Sequence, residues 1–528
     1  MKEKARVALV ILDGWGIGPP WGGNAITSAK TRNMDMWWRT YPKTELLASG
    51  EAVGLPSIAG GNSETGHLNI GAGRLVPQDL PYINQLIKSG EFYKNPRILA
   101  AFNHVKKNKA HLHLMGLIGL GHVHSDLSHL FALMKMAKDN GILQVYLDLF
   151  TDGRDSDPNS ALNVFETINN KIKEIGIGKI ATICGRYFAM DRDRNWGRTS
   201  RAYNALTKGE AENSSSYRSV ISKAYLRSIS DEYLEPHLIV EDNKKIIVND
   251  SDAVIFFNFR PDRARQISAA FTSSPIAELP DRKIIKNLYF LTFVVREPNP
   301  VGIQAFPSQA INKPLAEVIS DVGLKQFHIA ETEKYAHVTY FINGGREQPF
   351  PGERQLMIPS PKIPSYDLVP AMSSLELTKK IISIVFENFD LLVINYANSD
   401  MVGHSGNYNA TMQSIECIDE CLGRLVAALL QNNYAIVVTA DHGNAEEMLN
   451  PKTNKPQTEH TKNLVPFIII SKNMSIAKLK LRPAGSLSNI APTILDIMGI
   501  EKPAEMTAQS LIWKATVPET AEVRRKNE

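Results

Sequence analysis

Residues 434–446 read YAIVVTADHGNAE, an unbroken apolar run that stops at an Asp-His pair. Runs without polar alternation belong to strands buried on both faces, the habit of parallel sheets covered by helices. The same figure recurs at VALVILDG (7–14), HLHLMGLIG (111–119), QVYLDLFTDG (144–153), KIATICGR (179–186), AVIFFNFR (253–260), LYFLTFVV (288–295), LLVINYANSD (391–400) and VPFIIIS (465–471). Helix-period segments lie between them, such as HSDLSHLFALMKMAKDNG (124–141), which ends on a glycine stop, and TMQSIECIDECLGRLVAALLQ (411–431). This alternation predicts an α/β fold. At 528 residues the chain exceeds one compact core, so two or more lobes are expected.

A hydrophobic content of 43% with 22% charged residues is that of a globular protein and argues against global disorder. The longest apolar runs fall short of the roughly 20 residues that span a bilayer, so no membrane partner is expected. The start, MKEKARVALVILDGWG, is basic, but its apolar stretch meets Asp13 without a small-residue cleavage site and reads as a buried first strand. Lys plus Arg at 59 against Asp plus Glu at 55 leaves a dispersed +4, too mild for a nucleic-acid surface. Three cysteines, none in a CxxC pair, build no disulfide framework. Cys417 and Cys421, spaced i,i+4, read as buried thiols, and a reducing cytoplasmic compartment fits.

Asp13, Asp152, Arg186, Arg260, Asp400 and Asp441 are each expected directly after a strand, where open α/β sheets bind ligands. Two stretches, residues 75–81 and 297–314, read as crossings between lobes. Between them the motifs are rich in arginine; outside them they are rich in Asp and His. The outer set comprises Asp13, Asp400 with His404, Asp441 with His442, and His460. Carboxylates mixed with imidazoles suit Zn, Mn or related divalent ions, and Asp-x3-His places both side chains on one side of a helical turn. Each pair alone reads more readily as a helix cap or a chance dipeptide; three sets at strand ends point to a metal centre. Ser63, in GGNSETGH, is either an N-cap or a nucleophile whose hydroxyl a base or metal must activate. Two divalent ions would be balanced by Asp13, Asp400, Asp441 and a Ser63 alkoxide, with neutral His404, His442 and His460 completing the shells.

The inner set is His124, Arg154, Asp155, Arg186, Arg192, Arg260 and Arg263. Pro261 at a helix's first position would put Arg260 and Arg263 on adjacent turns facing one way. Converging guanidinium forks imply a small, multiply charged anion; each alone reads more readily as a solvated partner of a nearby Asp. Lys334 is a candidate point charge for a transferring phosphoryl group, with nothing in the sequence alone to rank it above Lys325 or Lys362. Histidines 104, 111, 113, 122 and 129 read as structural.

Taken together, LDGWG, GNSETGHLNIGAGR, TDGRD, GRYFAMDRD, FNFRPDRARQ, ETEKYAHVTYF, NYANSDMVGH, TADHGN and EHT resemble the cofactor-independent phosphoglycerate mutases of the alkaline-phosphatase-like superfamily, in order over about residues 5–500. The resemblance implies a discontinuous phosphatase-like domain (1–77 and 312–514), an inserted α/β transferase domain (78–311) and a polar tail (515–528). It implies interconversion of 3- and 2-phosphoglycerate by a monomer with two Mn ions, or Mg or another divalent ion. Asp13, Ser63, Asp441 and His442 match the ligands of one ion, and Asp400, His404 and His460 those of the other. Ser63 matches the phosphoserine nucleophile; His124, Arg154, Asp155, Arg186, Arg192, Arg260, Arg263 and Lys334 match the substrate contacts. The segment before the serine, GLPSIAGG (54–61), departs from the family's Asp-Gly-Gln-Met-like stretch. Two rival activities share the residues: a phosphatase or phosphodiesterase with water as acceptor, and a silent phosphometabolite-binding protein.

Overall fold

The computed structural model describes residues 5–242, 244–273, 276–294, 302–307, 311–450 and 452–514. The chain divides into two compact units, one of Met1–Gln78 with Ala310–Glu528 and one of Asp79–Gln309. The tail 515–528 and part of the stretch 297–314 lie outside the described residues.

The first unit is built on an eight-stranded sheet. Its middle strand, Arg6–Leu12, pairs in parallel with Leu391–Tyr396 and Tyr434–Thr439, so that Val7 faces Leu391 on one side and Ala435 on the other. Gln326–Glu331 and Glu353–Ile358 continue the parallel array beyond Leu391–Tyr396. On the opposite side Val465–Ile470 runs antiparallel to Tyr434–Thr439, Lys43–Leu47 pairs antiparallel with it in turn, and Ala484–Ser486 closes that edge. Apart from the half-buried Arg6, the three central strands are buried throughout, as expected where helices cover both faces. The helix Tyr408–Gln431 contributes Ile415, Ile418, Leu422, Leu425 and Leu429 to this core, each stabilising by about 1.5–3 kcal/mol.

The second unit also carries eight strands. Leu112–Ile118 lies between Val145–Thr151 and Ala253–Phe256, all parallel; Lys179–Gly185 and Tyr289–Thr292 extend the sheet on either side. Alternate residues of Leu112–Ile118 feed two cores, Leu112 and Leu114 on one face and Met115 and Leu117 on the other. His113 sits in this strand, fully buried, with Nδ1 2.8 Å from Asp148 Oδ2 and Nε2 3.7 Å from Asp252 Oδ2. Burial opposes its charge, but the two carboxylates outweigh it and push the imidazole up to about 9.

All nine apolar runs contain strands. Gln326–Glu331 escaped that criterion because Gln326, His328 and Glu331 interrupt it, although the strand is entirely buried. Its polar groups are satisfied internally: Gln326 Nε2 donates to Ala316 O at 2.7 Å, and Glu331 accepts from Ser373 N and Ser360 Oγ. Buried polar groups with partners are tolerated in a core.

Candidate functional site

The carboxyl ends of the first unit's parallel strands converge on Ser63. Asn62, not Ser63, caps the helix Ser63–Ala72, its side chain accepting the Thr65 N–H at 2.8 Å. The cap takes the orphan donors of the first turn and leaves the Ser63 hydroxyl free. Ser63 Oγ lies 2.9 Å from His442 Nε2, 3.3 Å from Asp13 Oδ1 and 2.7 Å from Lys334 Nζ. Lys334, in the turn Thr332–Lys334 after Gln326–Glu331, reaches Asp13 Oδ1 at 2.7 Å and Asp400 Oδ2 at 2.6 Å. Lys334 thereby separates itself from Lys325 and Lys362. Gly60 and Gly61 allow the serine loop close to its neighbours, for a Cβ at Gly60 would collide with the His460 carbonyl and one at Gly61 with His442 and the Ala48 carbonyl.

Asp400 and His404 lie on one side of a helical turn, with His404 Nε2 3.2 Å from Asp400 Oδ1. His460 Nε2 lies 3.1 Å from the same oxygen and 3.0 Å from His404 Nε2. Both rings use Nδ1–H on backbone carbonyls, His404 on Thr458 O at 2.7 Å and His460 on Gly61 O at 2.8 Å. Each therefore turns an Nε2 lone pair toward Asp400, the orientation that metal-ligating histidines take from their outer partners. A carboxylate oxygen and two imidazole nitrogens within about 3 Å repel unless a proton or cation lies among them. Asp400 accordingly raises the proton affinity of His404, and that of His460 against the effect of burial.

Among the described residues two sets of side chains have the spacing of a metal site: Asp400, His442 and His460, and Asp13, His67 and Asp441. His442 is thus grouped with Asp400, yet its Nε2 is also 3.5 Å from Asp13 Oδ1 and 3.4 Å from Asp441 Oδ2, so it stands between the sets. Burial and repulsion from Asp441 raise Asp13. Asp400 is held well below the carboxylate range despite burial, chiefly by the Lys334 ammonium, and Asp441 is lowered by His442 and His67. Burial opposes the Lys334 charge, but Asp13, Asp400 and Asp441 keep it firmly protonated.

His67 and Asn395 form a floor that sequence reasoning missed. Asn395 Nδ2 donates to Asp13 Oδ2 at 2.8 Å and to His67 Nε2 at 3.0 Å, leaving His67 Nδ1–H for the Ser63 carbonyl at 2.8 Å. His67 follows Ser63 by one helical turn, and Asn395 is the one amide in its apolar strand; both were available as signals.

The second unit gathers the inner set. Arg186, 2% exposed, puts Nη1 2.5 Å from both Asp152 Oδ1 and Asp155 Oδ2. With Arg154, Arg192 and Arg263 it lines a cavity of about 180 Å³, together with Arg198, which sequence reasoning had not singled out. Arg263 is lowered from the usual guanidinium range by burial and by Arg186, Arg192 and Arg154, the mark of crowded positive charge. His124 is buried, its Nδ1 3.6 Å from Asp262 Oδ1; burial and Arg186 lower it to about 4. Asp155 is lowered, against burial, by Arg186. Arg260 is half exposed, with Nε 3.2 Å from Asp262 Oδ1, and is not among the cavity's lining residues. The expected helix at Pro261 does not form. Asn258 Oδ1 accepts the Leu117 N–H and Phe259 N–H donates to His124 O, pinning this stretch as a turn, and the helix starts at Arg265. Asp13, Asp152 and Arg186 follow their strands directly; Asp441, Asp400 and Arg260 stand a few residues further on.

Residues 5–502 match the Metalloenzyme superfamily. The 2,3-bisphosphoglycerate-independent phosphoglycerate mutase of Thermomicrobium roseum is 47% identical, over 98% of this chain and 100% of its own length. The enzyme of that name from Moorella thermoacetica is 48% identical, over 96% and 98%. A solved structure of Leishmania mexicana phosphoglycerate mutase, at low cobalt concentration, superposes with a TM-score of 0.63 at 29% identity, covering 97% of this chain and 98% of that one. The chain belongs to the Metalloenzyme superfamily and to the family of 2,3-bisphosphoglycerate-independent phosphoglycerate mutases.

Proposed function

We propose that this chain interconverts 3-phosphoglycerate and 2-phosphoglycerate by passing the phosphoryl group onto Ser63 and back. One observation carries the reading: the Ser63 hydroxyl, relieved of capping by Asn62, lies against His442, Asp13 and Lys334. The donor set fits divalent cations, because His404 and His460 turn Nε2 toward Asp400 and because the fully buried Asp441 Oδ2 faces the His67 and His442 rings, at 3.3 and 3.4 Å, without a close hydrogen bond among the described residues. Asp13, Ser63, Asp441 and His442 would hold one cation and Asp400, His404 and His460 the other, with Mn²⁺ the preferred ion. When bound, the cations would offset the carboxylate charge and lower the pKa of the Ser63 hydroxyl.

Arg154, Arg186, Arg192, Arg260, Arg263 and His124 hold the acid, whose carboxylate and phosphate together make it multiply charged. Ser63 Oγ attacks phosphorus, forming Oγ–P as the bond to the 3-oxygen breaks. The glycerate turns, its 2-oxygen attacks the phosphoserine, and Ser63 is released. The net change moves one proton from the 2-oxygen to the 3-oxygen, and Asp155, kept as a carboxylate by Arg186, is the proposed carrier. Lys334, held protonated, faces the group in transit as a fixed charge. Water must be excluded during the turn, or the phosphoserine hydrolyses. The arginine set favours this over simple hydrolysis, which has no need to hold the glycerate. We further propose that the enzyme acts as a monomer in the cytoplasm; among the described residues no helix is long and apolar enough to cross a membrane.

The test is conversion of 3-phosphoglycerate without 2,3-bisphosphoglycerate, before and after chelation, for the wild type and Ser63→Ala. The substitution should lower kcat by at least about 10⁴-fold with the fold intact, and chelation should abolish wild-type turnover. Normal turnover by Ser63→Ala sinks the mutase reading; phosphate release matching substrate loss replaces it with a phosphatase.

A further inference from the structure

Three strings that carry the site, LDGWG, TADHGNAE and EHT, meet at one carboxylate that has no place in the chemistry above. Glu446 is 1% exposed. Its Oε2 accepts the N–H groups of Gly16 at 3.0 Å and Asn444 at 2.9 Å. Its Oε1 accepts the Asn463 side-chain amide at 3.0 Å and the Thr461 hydroxyl. Four donors use up the carboxylate's accepting positions, so Glu446 is not itself free to bind a cation. The donors sit on the segments that bear the proposed ligands: Gly16 just beyond Asp13, Asn444 just beyond His442, Thr461 next to His460. Neither Gly16 nor Gly443 has a positive φ, so backbone conformation does not demand glycine at either place. Space does. A Cβ at Gly16 would overlap the Glu446 carboxylate, and one at Gly443 would overlap both that carboxylate and Thr461 Oγ1.

We infer that Glu446 is a positioning residue that clamps the three ligand-bearing segments, so that Asp13, Asp441, His442 and His460 are presented together to the cations. Both glycines serve this clamp by leaving it room. The inference rests on the cation-site reading above. It also ranks the substitutions. The Gly16 and Asn444 N–H groups cannot reverse, whereas the Thr461 hydroxyl and the Asn463 amide can rotate to accept. Glu446→Gln therefore keeps the two backbone bonds unchanged and forces only the Thr461 and Asn463 contacts to reverse, disturbing the His460 segment alone, while Glu446→Ala releases all three segments.

The experiment is calorimetric titration of Mn²⁺ into the metal-stripped full chain, with circular dichroism for fold and steady-state kinetics at several Mn²⁺ concentrations. Glu446→Ala should bind Mn²⁺ roughly tenfold to a hundredfold more weakly, and Glu446→Gln should fall between it and the wild type. Gly443→Ala, which keeps the carboxylate but fills its space, should weaken binding like Glu446→Ala. In all three, KM for 3-phosphoglycerate should stay at the wild-type value and kcat should recover as Mn²⁺ is raised. Should Glu446→Ala misfold, the other two variants carry the test. Wild-type Mn²⁺ affinity in a folded Glu446 variant, or a raised KM with unchanged kcat, overturns the clamp. Asp441→Asn and His460→Ala are the controls: if they too bind Mn²⁺ normally, the cation-site reading fails instead.

Discussion

The two units use one architectural device for opposite electrostatic ends. Each gathers its polar groups beyond the carboxyl ends of parallel strands, where such sheets open a crevice. In the first unit Asp13, Ser63, Asp400, Asp441 and His442 are buried, and Lys334 is the cation that the carboxylates enclose. In the second, Arg186 is buried on Asp152 and Asp155, but Arg154, Arg192 and Arg260 stand about half exposed with single carboxylate partners. Buried, mutually fixed charges are preorganised and suit bond-making. Half-exposed guanidinium groups can exchange a carboxylate for a ligand anion at little cost, because exposed pairs are worth about 0–1 kcal/mol. The contrast supports the proposed division, chemistry in one unit and reversible anion capture in the other.

Lys334→Met probes the first half most severely. It removes a buried ammonium from between Asp13 and Asp400, so kcat should fall roughly 10²–10³-fold with KM for 3-phosphoglycerate nearly unchanged. The metal-stripped variant should also melt below the wild type, with Mn²⁺ restoring part of the loss, since two buried carboxylates are left uncompensated. A raised KM with intact kcat would instead place Lys334 with the anion-binding groups and break the contrast.

That lysine also marks how far the sequence could be read. The α/β class followed from unbroken apolar runs, because a strand buried on both faces has no use for polar alternation. Gln326–Glu331 was opaque for the complementary reason, as its polar side chains are paid for by local partners that no linear pattern records. Asp13, Asp441 and Asp400 could be singled out because a carboxylate at or just beyond the end of an apolar run is conspicuous. Lys334 could not, since its significance lies in Ser63, Asp13 and Asp400, all distant in the chain. Ser63 was legible as a cap or a nucleophile, and only the Asn62 bond to Thr65 N decides which side chain caps. Pro261 misled because a residue suited to a helix start cannot reveal that Asn258 and Phe259 are already tied to Leu117 and His124.

Arg263 sharpens the second half of the contrast with a smaller effect. It is half-buried, crowded by Arg186, Arg192 and Arg154, and bonded to the Met190 carbonyl at 3.3 Å. Losing a charged hydrogen bond to an anion costs about 1.5–3 kcal/mol, so Arg263→Ala should raise KM for 3-phosphoglycerate roughly tenfold or more and change kcat much less. Arg263→Lys keeps the charge but not the fork and should fall between the two. Mn²⁺ affinity, measured by calorimetry, should be untouched in both. A fall in kcat with unchanged KM would mean that this arginine acts in the chemical step.

The smallest effect concerns His113, which separates charge held for folding from charge held for function. Its imidazole lies between Asp148 and Asp252 in the second sheet and titrates at about 9 instead of 6.5. A group whose pKa rises on folding stabilises fully below its unfolded value and loses that contribution as pH climbs through the folded value. The His113 contribution is therefore complete below about pH 6.5 and gone above about pH 9, and the difference corresponds to roughly 3 kcal/mol at most. Melting curves at pH 6 and pH 9.5 should show a larger loss for the wild type than for His113→Gln, while KM and kcat at pH 7 remain close in the two proteins. Equal losses would mean that the imidazole is neutral in the folded chain, and that the buried positive charge of the second unit belongs to its arginines alone.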